Sequence, residues 1–502
     1  MKRLFVFCLS LLTLASCLPL KQDFIEITTS SPMTVPALGG YEAIGYTINT
    51  QIDGAEVEAS ANEGWITDIF VDYSNVTFTV ATNDTDSERR AVVTLSYANE
   101  EIDVTIIQPA LDLNVEELGN KAIRYTTNDG KIAGPVPSEA DAENYYAKYG
   151  AWLKANVYTE DGGMIIFEDE VQNIPTGMFE DARNLVSIDI PESVEWISQN
   201  AFLYCENLSE VTLHEGLIGI SGFAFQGCEN LTTLTIPESV EEIGYNIVLR
   251  CENFREFRGV YASEDGRSLI KDNTLYAFAP AGLTQYAVPD GVTKIAAHAF
   301  EDIDNITHVS LSHSVTEVEN SAFAGCVNLE SFGGKFAADG GRALIIGECF
   351  VAVAPAGLKS YTIPNGIKEI GGGAFGGIDK LTEIIIPDEV ETIGDQAFFS
   401  FEGTSIKLPS ALTFIGLQAF AYSRLESITL PASLESIDSY AFEYSWDLKS
   451  VYSEPTNPPY LGERGFADGA EDRKIYVPAE SVELYKSEGY GWSDYAHEIV
   501  AM

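Results

Sequence analysis

Cysteines at a fixed interval are the residues whose type and spacing most suggest chemistry. They are Cys205, Cys228, Cys251 and Cys326, and the first three are 23 residues apart. Cysteine thiolates bind Zn²⁺, but a tetrahedral ion needs ligands on several sides, and residues that repeat along a coil lie in one row. We therefore predict buried free thiols that pack as small apolar groups. A disulfide between adjacent repeats is the alternative, because an oxidising compartment permits it.

The sequence contains no other arrangement typical of catalysis or metal binding. The five histidines form no H-E-x-x-H motif, and G-x-S-x-G does not occur. Asn83-Asp84-Thr85-Asp86 comes nearest to a calcium loop, but it lacks the glycine and the distal glutamate, so we interpret it as a hairpin turn. The net charge of −47 disfavours any binding to nucleic-acid phosphates. We predict a non-enzymatic protein without a metal or a cofactor.

Aromatic side chains remain as candidates for a binding site. One set lies just after the Ala-Phe pair of the last repeats. It consists of Phe399, Tyr422, Tyr444 and Trp446, and Tyr452 is nearby. If exposed, these rings would form a stripe along one edge, as interface hot spots do; alternatively, they cover the C-terminal end of the core. Trp65 could stack on a sugar or anchor the core of its own domain. The outward strand residues are small or acidic and include no aromatic ring, which disfavours a sugar platform there.

A repeat of about 23 residues must position these side chains. An apolar residue marks the same point of each repeat, at Phe167, Ile190, Leu213, Ile236, Val288, Leu311, Ile363, Ile386, Leu408 and Leu430. The steps between them are 22 or 23 residues, apart from two steps of 52. We interpret each long step as one repeat plus a 29-residue insert that adds a hairpin projecting from the coil. A fixed period in the twenties is typical of a leucine-rich repeat solenoid.

Two short strands and two corners account for one repeat. In NLTTLTIPESVEEIG, from Asn230, the apolar spacing fits neither one helix nor one strand. Pro237 excludes a continuous helix and marks the corner between the strands. The Ala-Phe pair that follows marks the next corner and places a phenylalanine ring inside the coil. We expect these rings to form one buried spine of Phe179, Phe202, Phe225, Phe300, Phe323, Phe375, Phe398, Phe420 and Phe442.

The repeat consensus, I-P-x-S-V-x-x-I-x-x-x-A-F-x-x-C-x-x-L-x-x-V, resembles the BspA-like (Treponema pallidum type) leucine-rich repeat. The resemblance extends over roughly residues 160–502, with the repeats at 167–453. It identifies residues 111–166, including a helix-like stretch at 140–154, as an N-terminal cap and residues 454–502 as a C-terminal cap. Proteins of this family are associated with adhesion to host proteins, so the resemblance implies a binding function.

Residues 24–110 lack the repeat and are predicted to form a separate domain. Alternating apolar residues, such as Val76, Phe78 and Val80, are separated by turn residues every 8–12 positions, which predicts an Ig-like β-sandwich. Trp65-Ile66, Glu88-Arg89-Arg90 and the closing residues 104–108 resemble a BACON domain. That family was named for a proposed carbohydrate-binding role, and a spacer role fits it equally well.

The N-terminus is predicted to be a targeting segment. Lys2 and Arg3 precede an apolar run that is too short to span a bilayer. The run ends in Leu14-Ala15-Ser16-Cys17, which resembles a bacterial lipobox. The resemblance implies that residues 1–16 are removed as a signal peptide, that Cys17 is acylated and that residues 17–23 form a tether.

Together, these features predict a mainly β protein, in which an Ig-like β-sandwich is followed by a leucine-rich repeat solenoid with short parallel strands. We expect a Bacteroidota outer-membrane lipoprotein, exposed at the cell surface, that contacts the membrane only through its lipid anchor. Its expected partner is a host or microbial extracellular protein. The alternative is a glycan-capture accessory protein of a polysaccharide-utilisation system. The sequence leaves open whether the protein faces the exterior or the periplasm.

Overall fold

The computed structural model describes residues 25–502 apart from 38, 50, 53, 84, 86, 111–117 and 136–146. The predicted signal peptide, lipidation site Cys17 and tether lie outside the described residues. Contacts divide the chain into two compact units, with the division between residues 118 and 119. Strands account for 34% of the residues and helices for 5%, which confirms the predicted mainly β class.

The first unit is a β-sandwich, as predicted. Its strands are β1 (Ile25–Ile27), β2 (Met33–Thr34), β3 (Gly40–Ile48), β4 (Val57–Ala61), β5 (Ile66–Val71), β6 (Asn75–Val80), β7 (Arg89–Tyr97) and β8 (Glu100–Gln108). They form two four-stranded sheets with the orders β1-β3-β6-β5 and β2-β8-β7-β4. Alternate residues of both sheets, such as Phe78 and Leu95, are buried in one core. This arrangement follows from the period-2 alternation in the sequence.

The second unit is a β-solenoid of about 14 turns. Most turns contribute a first strand, and these pair in parallel with their neighbours: β13 (Leu185–Asp189), β15 (Glu210–Thr212), β17 (Thr233–Thr235), β19 (Glu256–Arg258), β22 (Gln285–Ala287), β24 (His308–Ser310), β26 (Ser331–Gly333), β30 (Ser360–Thr362), β32 (Glu383–Ile385), β35 (Ser427–Leu430), β37 (Ser450–Ser453), β39 (Lys474–Val477) and β40 (Ile499–Ala501). The ladder of first strands is interrupted at several turns, for example between β32 and β35.

A second row of parallel strands lies on the other side of the coil. It consists of β12 (Asn173–Ile174), β14 (Trp196–Ile197), β16 (Gly219–Ile220), β18 (Glu242–Ile243), β21 (Thr274–Phe278), β23 (Lys294–Ile295), β25 (Glu317–Val318), β29 (Cys349–Val353), β31 (Glu369–Ile370), β33 (Thr392–Ile393), β34 (Phe414–Ile415), β36 (Ser436–Ile437) and β38 (Tyr460–Leu461). Proline occupies the corner between the two rows in most turns, and His214 and Ser312 take its place in two others. In one turn, the N–H of Val240 donates to the carbonyl oxygen of Pro237 at 3.3 Å, between β17 and β18.

The phenylalanine rings fill the centre of the coil. All nine predicted rings are at most 4% exposed. Stacked rings of neighbouring turns have centroids 4.9–5.3 Å apart and planes within 13° of each other. This spacing matches the distance of about 4.8 Å that strand pairing imposes between turns.

The expectation of one continuous spine was wrong, because the rings form three stacks. Val248 takes the phenylalanine position in one turn, and the buried apolar residues of this unit divide into three core clusters. Three rings that the sequence did not predict complete the stacks. They are Phe278 beside Phe300, Phe350 beside Phe375, and Phe466 beside Phe442.

The two inserts also differ from the prediction. Each contains the expected antiparallel hairpin, in which β20 (Ser268–Lys271) pairs with β21 and β28 (Ala343–Ile346) pairs with β29. The hairpins do not simply project from the coil, because β21 and β29 continue the second row by parallel pairing with β23 and β31. Each insert is therefore a turn of the solenoid that carries a hairpin. The short strand β27 (Ala337–Ala338) pairs with β28 at the second of these turns.

Antiparallel strands lie at the N-terminal end of the solenoid. They are β9 (Ala122–Thr127), β10 (Leu153–Thr159) and β11 (Gly162–Phe167), in the order β10-β11-β9, and β9 pairs with β13. Only 147–149 of the predicted helical stretch 140–154 is helical among the described residues, and Leu153 and Lys154 already belong to β10.

The predicted C-terminal segment opens with a further turn. There β38 and β39 continue both strand rows, and the ring of Phe466 continues its stack. The short helix α1 (Val482–Lys486) follows. Arg473, which is 4% exposed, forms an ion pair with Glu498 at 2.7 Å in this segment.

We predict that Phe225→Ala lowers the free energy of unfolding by about 3–5 kcal/mol, because it removes a fully buried ring from a stack and leaves a cavity. Chemical denaturation followed by circular dichroism measures the change. Thr235→Ala, an exposed change in the same region, is the control and should have little effect. Equal stability of the two variants would contradict the role of the ring stack.

Candidate functional site

The corner after each phenylalanine has a backbone geometry that aligns side chains along one edge. Two residues after the ring position of each corner, which Val248 occupies in one turn, φ lies between +50° and +72°; these positions are Asp181, Tyr204, Gly227, Arg250, Asp302, Gly325, Gly377, Ser400, Tyr422, Tyr444 and Asp468. We call this set the corner row. Left-handed backbone costs a residue with a side chain roughly 1–2 kcal/mol. Hydrogen bonds to the next turn offset this cost, as when the N–H of Tyr422 donates to the carbonyl oxygen of Glu443 at 2.8 Å.

The four predicted aromatic residues of the last repeats come together on this edge. The ring of Tyr422 lies 5.3 Å from Phe399, 4.8 Å from Tyr444 and 6.1 Å from Trp446, measured between centroids. Tyr422 is 39% exposed and Trp446 is 53% exposed. None of the four belongs to the hydrophobic core cluster of these turns, so they do not serve mainly to close the core. We call these four residues the aromatic cluster.

A groove of about 340 Å³ adjoins the aromatic cluster. It lies where the corner row has its smallest side chains, Gly325, Gly377 and Ser400. Gly325 has φ of +68°, and an added Cβ would collide with the carboxylate of Asp302 unless that side chain moved. Phe399 lines one end of this corner groove, and Arg250 and Asp302, paired at 2.7 Å, line the other. The groove was not predicted from the sequence, although glycine two residues after the Ala-Phe pair is its visible signal.

The outward face of the first strands also differs from the prediction at its C-terminal end. Tyr452 in β37 stacks on Tyr476 in β39, with ring centroids 4.8 Å apart. The expectation that this face has no aromatic ring was therefore wrong for the last turns, and the in-register spacing of the two tyrosines was the available signal. A cavity of about 720 Å³ lies on the same face near Ile385 and Lys407, where residues 404–408 form no strand.

Trp65 is partly buried against the core of the sandwich. The guanidinium of Arg89 lies 4.4 Å from the centroid of its ring. Arg89 is itself held by the side chain of Gln108 at 2.7 Å and by the carbonyl oxygen of Ala81 at 2.8 Å. Because the guanidinium of Arg89 covers one face of the indole, Trp65 has less ring surface available for stacking on a sugar than an uncovered tryptophan would have.

The cysteine row is buried and free, as predicted. Each thiol donates to the carbonyl oxygen of a phenylalanine in the preceding turn; the pairs are Cys205 with Phe179, Cys228 with Phe202, Cys251 with Phe225 and Cys326 with Phe300. Burial raises the pKa of Cys326 to about 12. Among the described residues, no group of three or more His, Cys, Asp or Glu could hold a metal ion.

Comparison with protein families gives two matches. The profile described as a BspA type leucine rich repeat region matches in six copies, over residues 162–258, 272–335 and 347–469. The BACON profile, whose description is "Putative binding domain, N-terminal", matches residues 54–109. Proteins with these domains are typically found at the cell surface, and the domains suggest a protein-binding role. A comparison with curated protein sequences gives no match.

Similar solved structures include a leucine rich cell surface protein from Faecalibacterium prausnitzii A2-165, with 21% identity and a TM-score of 0.38 over 64% of this chain and 85% of that one. A leucine-rich repeat protein from Bacteroides ovatus ATCC 8483 has 21% identity and a TM-score of 0.27 over 64% and 90% of the chains. The pneumococcal vaccine antigen PcpA has 17% identity and a TM-score of 0.38 over 69% and 87%.

We predict that the four row cysteines react slowly with Ellman's reagent at pH 8 in the native protein and rapidly after unfolding. Burial excludes the reagent, and a pKa of about 12 leaves Cys326 almost without reactive thiolate at that pH. The pKa of Cys349 is also raised to about 12, but this thiol is only partly buried, so the reagent should reach it first and Cys349→Ser is the matched control. Unfolded protein that shows no free thiols until it is reduced would instead favour the disulfide alternative.

Proposed function

The chain belongs to the BspA-type leucine-rich repeat family, and from this premise we propose that it is a non-catalytic, lipid-anchored protein of the cell envelope that binds an extracellular protein of a host or another microbe. The proposed binding surface is the corner edge of the solenoid, formed by the aromatic cluster and the corner groove. The observation that supports it best is the contact among four neighbouring aromatic rings outside the core.

The composition of this surface favours a protein ligand. Tyrosine and tryptophan are enriched among the residues that contribute most to protein–protein affinity. Exposed rings that pack on one another lose little side-chain entropy on binding, because their neighbours already restrict them. The corner groove beside them has a volume of about 340 Å³, and Asp379 on its lining would favour a basic side chain of the partner.

The absence of catalytic arrangements supports a binding role. Proteins of this repeat family are typically non-catalytic. Three of the histidines are paired with carboxylates, His214 with Asp189, His298 with Glu301 and His497 with Glu498. His308 contacts the hydroxyl of Ser331 at 2.9 Å, but in the described part of the chain it has no carboxylate partner that would complete a catalytic triad.

The lipid anchor is proposed from the sequence motif that ends in Cys17. Among the described residues, no helix is long and apolar enough to cross a bilayer. Acylation of Cys17 would hold the protein at the membrane, since each buried methylene contributes about 0.8 kcal/mol.

Glycan capture is the second candidate function, and the sandwich is where it would reside. Phe70 is 65% exposed and Tyr73 is fully exposed in this unit, so these rings are more accessible than Trp65. The proposal of a sugar site on the sandwich therefore moves from Trp65 to these two residues.

We predict that Tyr422→Ala and Trp446→Ala each weaken binding to a captured extracellular protein by at least about tenfold, the loss typical of a hot-spot residue. The full chain would first be screened against immobilised serum and extracellular-matrix proteins, and affinities would then be measured by surface plasmon resonance. Tyr490→Ala is the matched control, because Tyr490 is 38% exposed and lies outside the aromatic cluster. Unchanged affinity in both cluster variants would exclude this edge as the binding surface.

We predict that protease treatment of intact cells removes the solenoid, and that Cys17→Ala releases the protein from the membrane fraction. Both follow if an acyl chain on Cys17 is the attachment and the solenoid faces outward. Immunoblotting of cells and of fractionated membranes measures the two outcomes. Full protection from protease would place the protein inside the envelope, while retention of the variant in membranes would refute the anchor.

A further inference from the structure

A small pocket lies on the corner edge at the first hairpin turn, separate from the aromatic cluster. It has a volume of about 230 Å³ and is bounded by the corner loop at 246–252 and by the loop at 301–305. These two corners meet across the hairpin turn, as the side-chain amide of Asn246 donates to the carbonyl oxygen of His298 at 2.8 Å. We call this cavity the corner pocket.

A missing ring explains why the pocket exists. Val248 occupies the position that carries Phe225 in the turn before it, and the next ring along the coil is Phe278 of the hairpin turn, which lies beside Phe300. The smaller side chain leaves space beside Phe278. Together with Cys251 and Ile303, these residues give the pocket apolar walls.

Asn246 supplies the polar group of the pocket. It is 3% exposed, and its Oδ1 atom is buried without a hydrogen-bond partner, while its Nδ2 atom donates to His298. A buried acceptor without a donor costs free energy that a ligand with an N–H group would recover. The pocket therefore favours a ligand that donates a hydrogen bond.

The rim of the pocket is strongly acidic. Glu252, Glu301, Asp302 and Asp304 line it, against the single guanidinium of Arg250. Arg250 is paired with Asp302 at 2.7 Å, and Glu301 faces His298 at 2.8 Å. Among the described residues, Glu252 and Asp304 have no ion-pair partner and are exposed, so their charge is available to a cation.

We propose that the corner pocket binds an alkylammonium group. Its methylene chain would pack against Val248, Phe278 and Ile303, as lysine stems pack on apolar surfaces. An ammonium N–H would donate to Oδ1 of Asn246, and the positive charge would lie within the field of Glu252 and Asp304. The group can come from a lysine side chain of a bound protein or from a free amine, and the site does not depend on the aromatic cluster.

Binding of n-butylammonium to the purified full chain tests the proposal, measured by saturation-transfer NMR at 50 mM salt. We expect saturable binding that is at least tenfold tighter than that of n-butanol, which has the same chain without the charge. Asn246→Leu should weaken it at least tenfold. Val248→Phe should abolish it by restoring the ring that neighbouring turns carry. Equal binding of butanol, or unchanged binding to Val248→Phe, would overturn the proposal.

The source of the amine is distinguished by two further probes. Tighter binding of Nα-acetyl-lysine methylamide than of cadaverine supports a lysine side chain, and the reverse order supports a free amine. Should Val248→Phe fail to fold, the double variant Glu252→Gln/Asp304→Asn carries the test, because both side chains are exposed. It should weaken butylammonium binding at least fivefold and reduce its dependence on salt, and no change in either would contradict the assigned role of the rim.

Discussion

Hydrogen bonds between neighbouring turns determine every other feature of the solenoid. They fix the distance from turn to turn, so that any side chain finds its counterpart about 4.8 Å away along the coil. This distance suits stacked phenylalanine rings, whose centroids are separated by 5.0 Å between Phe202 and Phe225. The same bonds hold the residues of the corner row in their left-handed conformation. An isolated turn would lack these bonds. Core, corners and surface rows thus have one common cause.

Because the turns are alike, specificity must come from the places where they differ. The corner row carries tyrosine rings at Tyr422 and Tyr444, and glycines at 325 and 377 open the groove beside them. Val248 replaces a ring and opens a pocket on the same edge. The turns that carry Tyr422 and Tyr444 keep their parallel strand pairing. A repeat protein can therefore change its ligand without altering its fold.

Much of the architecture could be predicted from the sequence, because the signals are local. The period of 23 residues, the proline corner and the buried cysteines each follow from residues within one turn. The hairpin turns could not be predicted fully, because the pairing of β21 with β23 joins segments whose spacing departs from that period. The corner groove and corner pocket depend on which corners meet across a hairpin turn. The contact between Asn246 and His298, 52 residues apart, was not visible in any single repeat.

The three separate core clusters have a consequence for how the solenoid loses its structure. In a linear array, cooperativity passes only through the contacts between neighbouring turns. Where the ring stack is interrupted, before each hairpin turn, the coupling between the blocks on either side depends on fewer buried contacts. Partial unfolding would then stop at these boundaries, and a block that opens would leave the folded remainder with an uncovered end. Mechanical load on such a chain would be released in steps rather than in a single rupture.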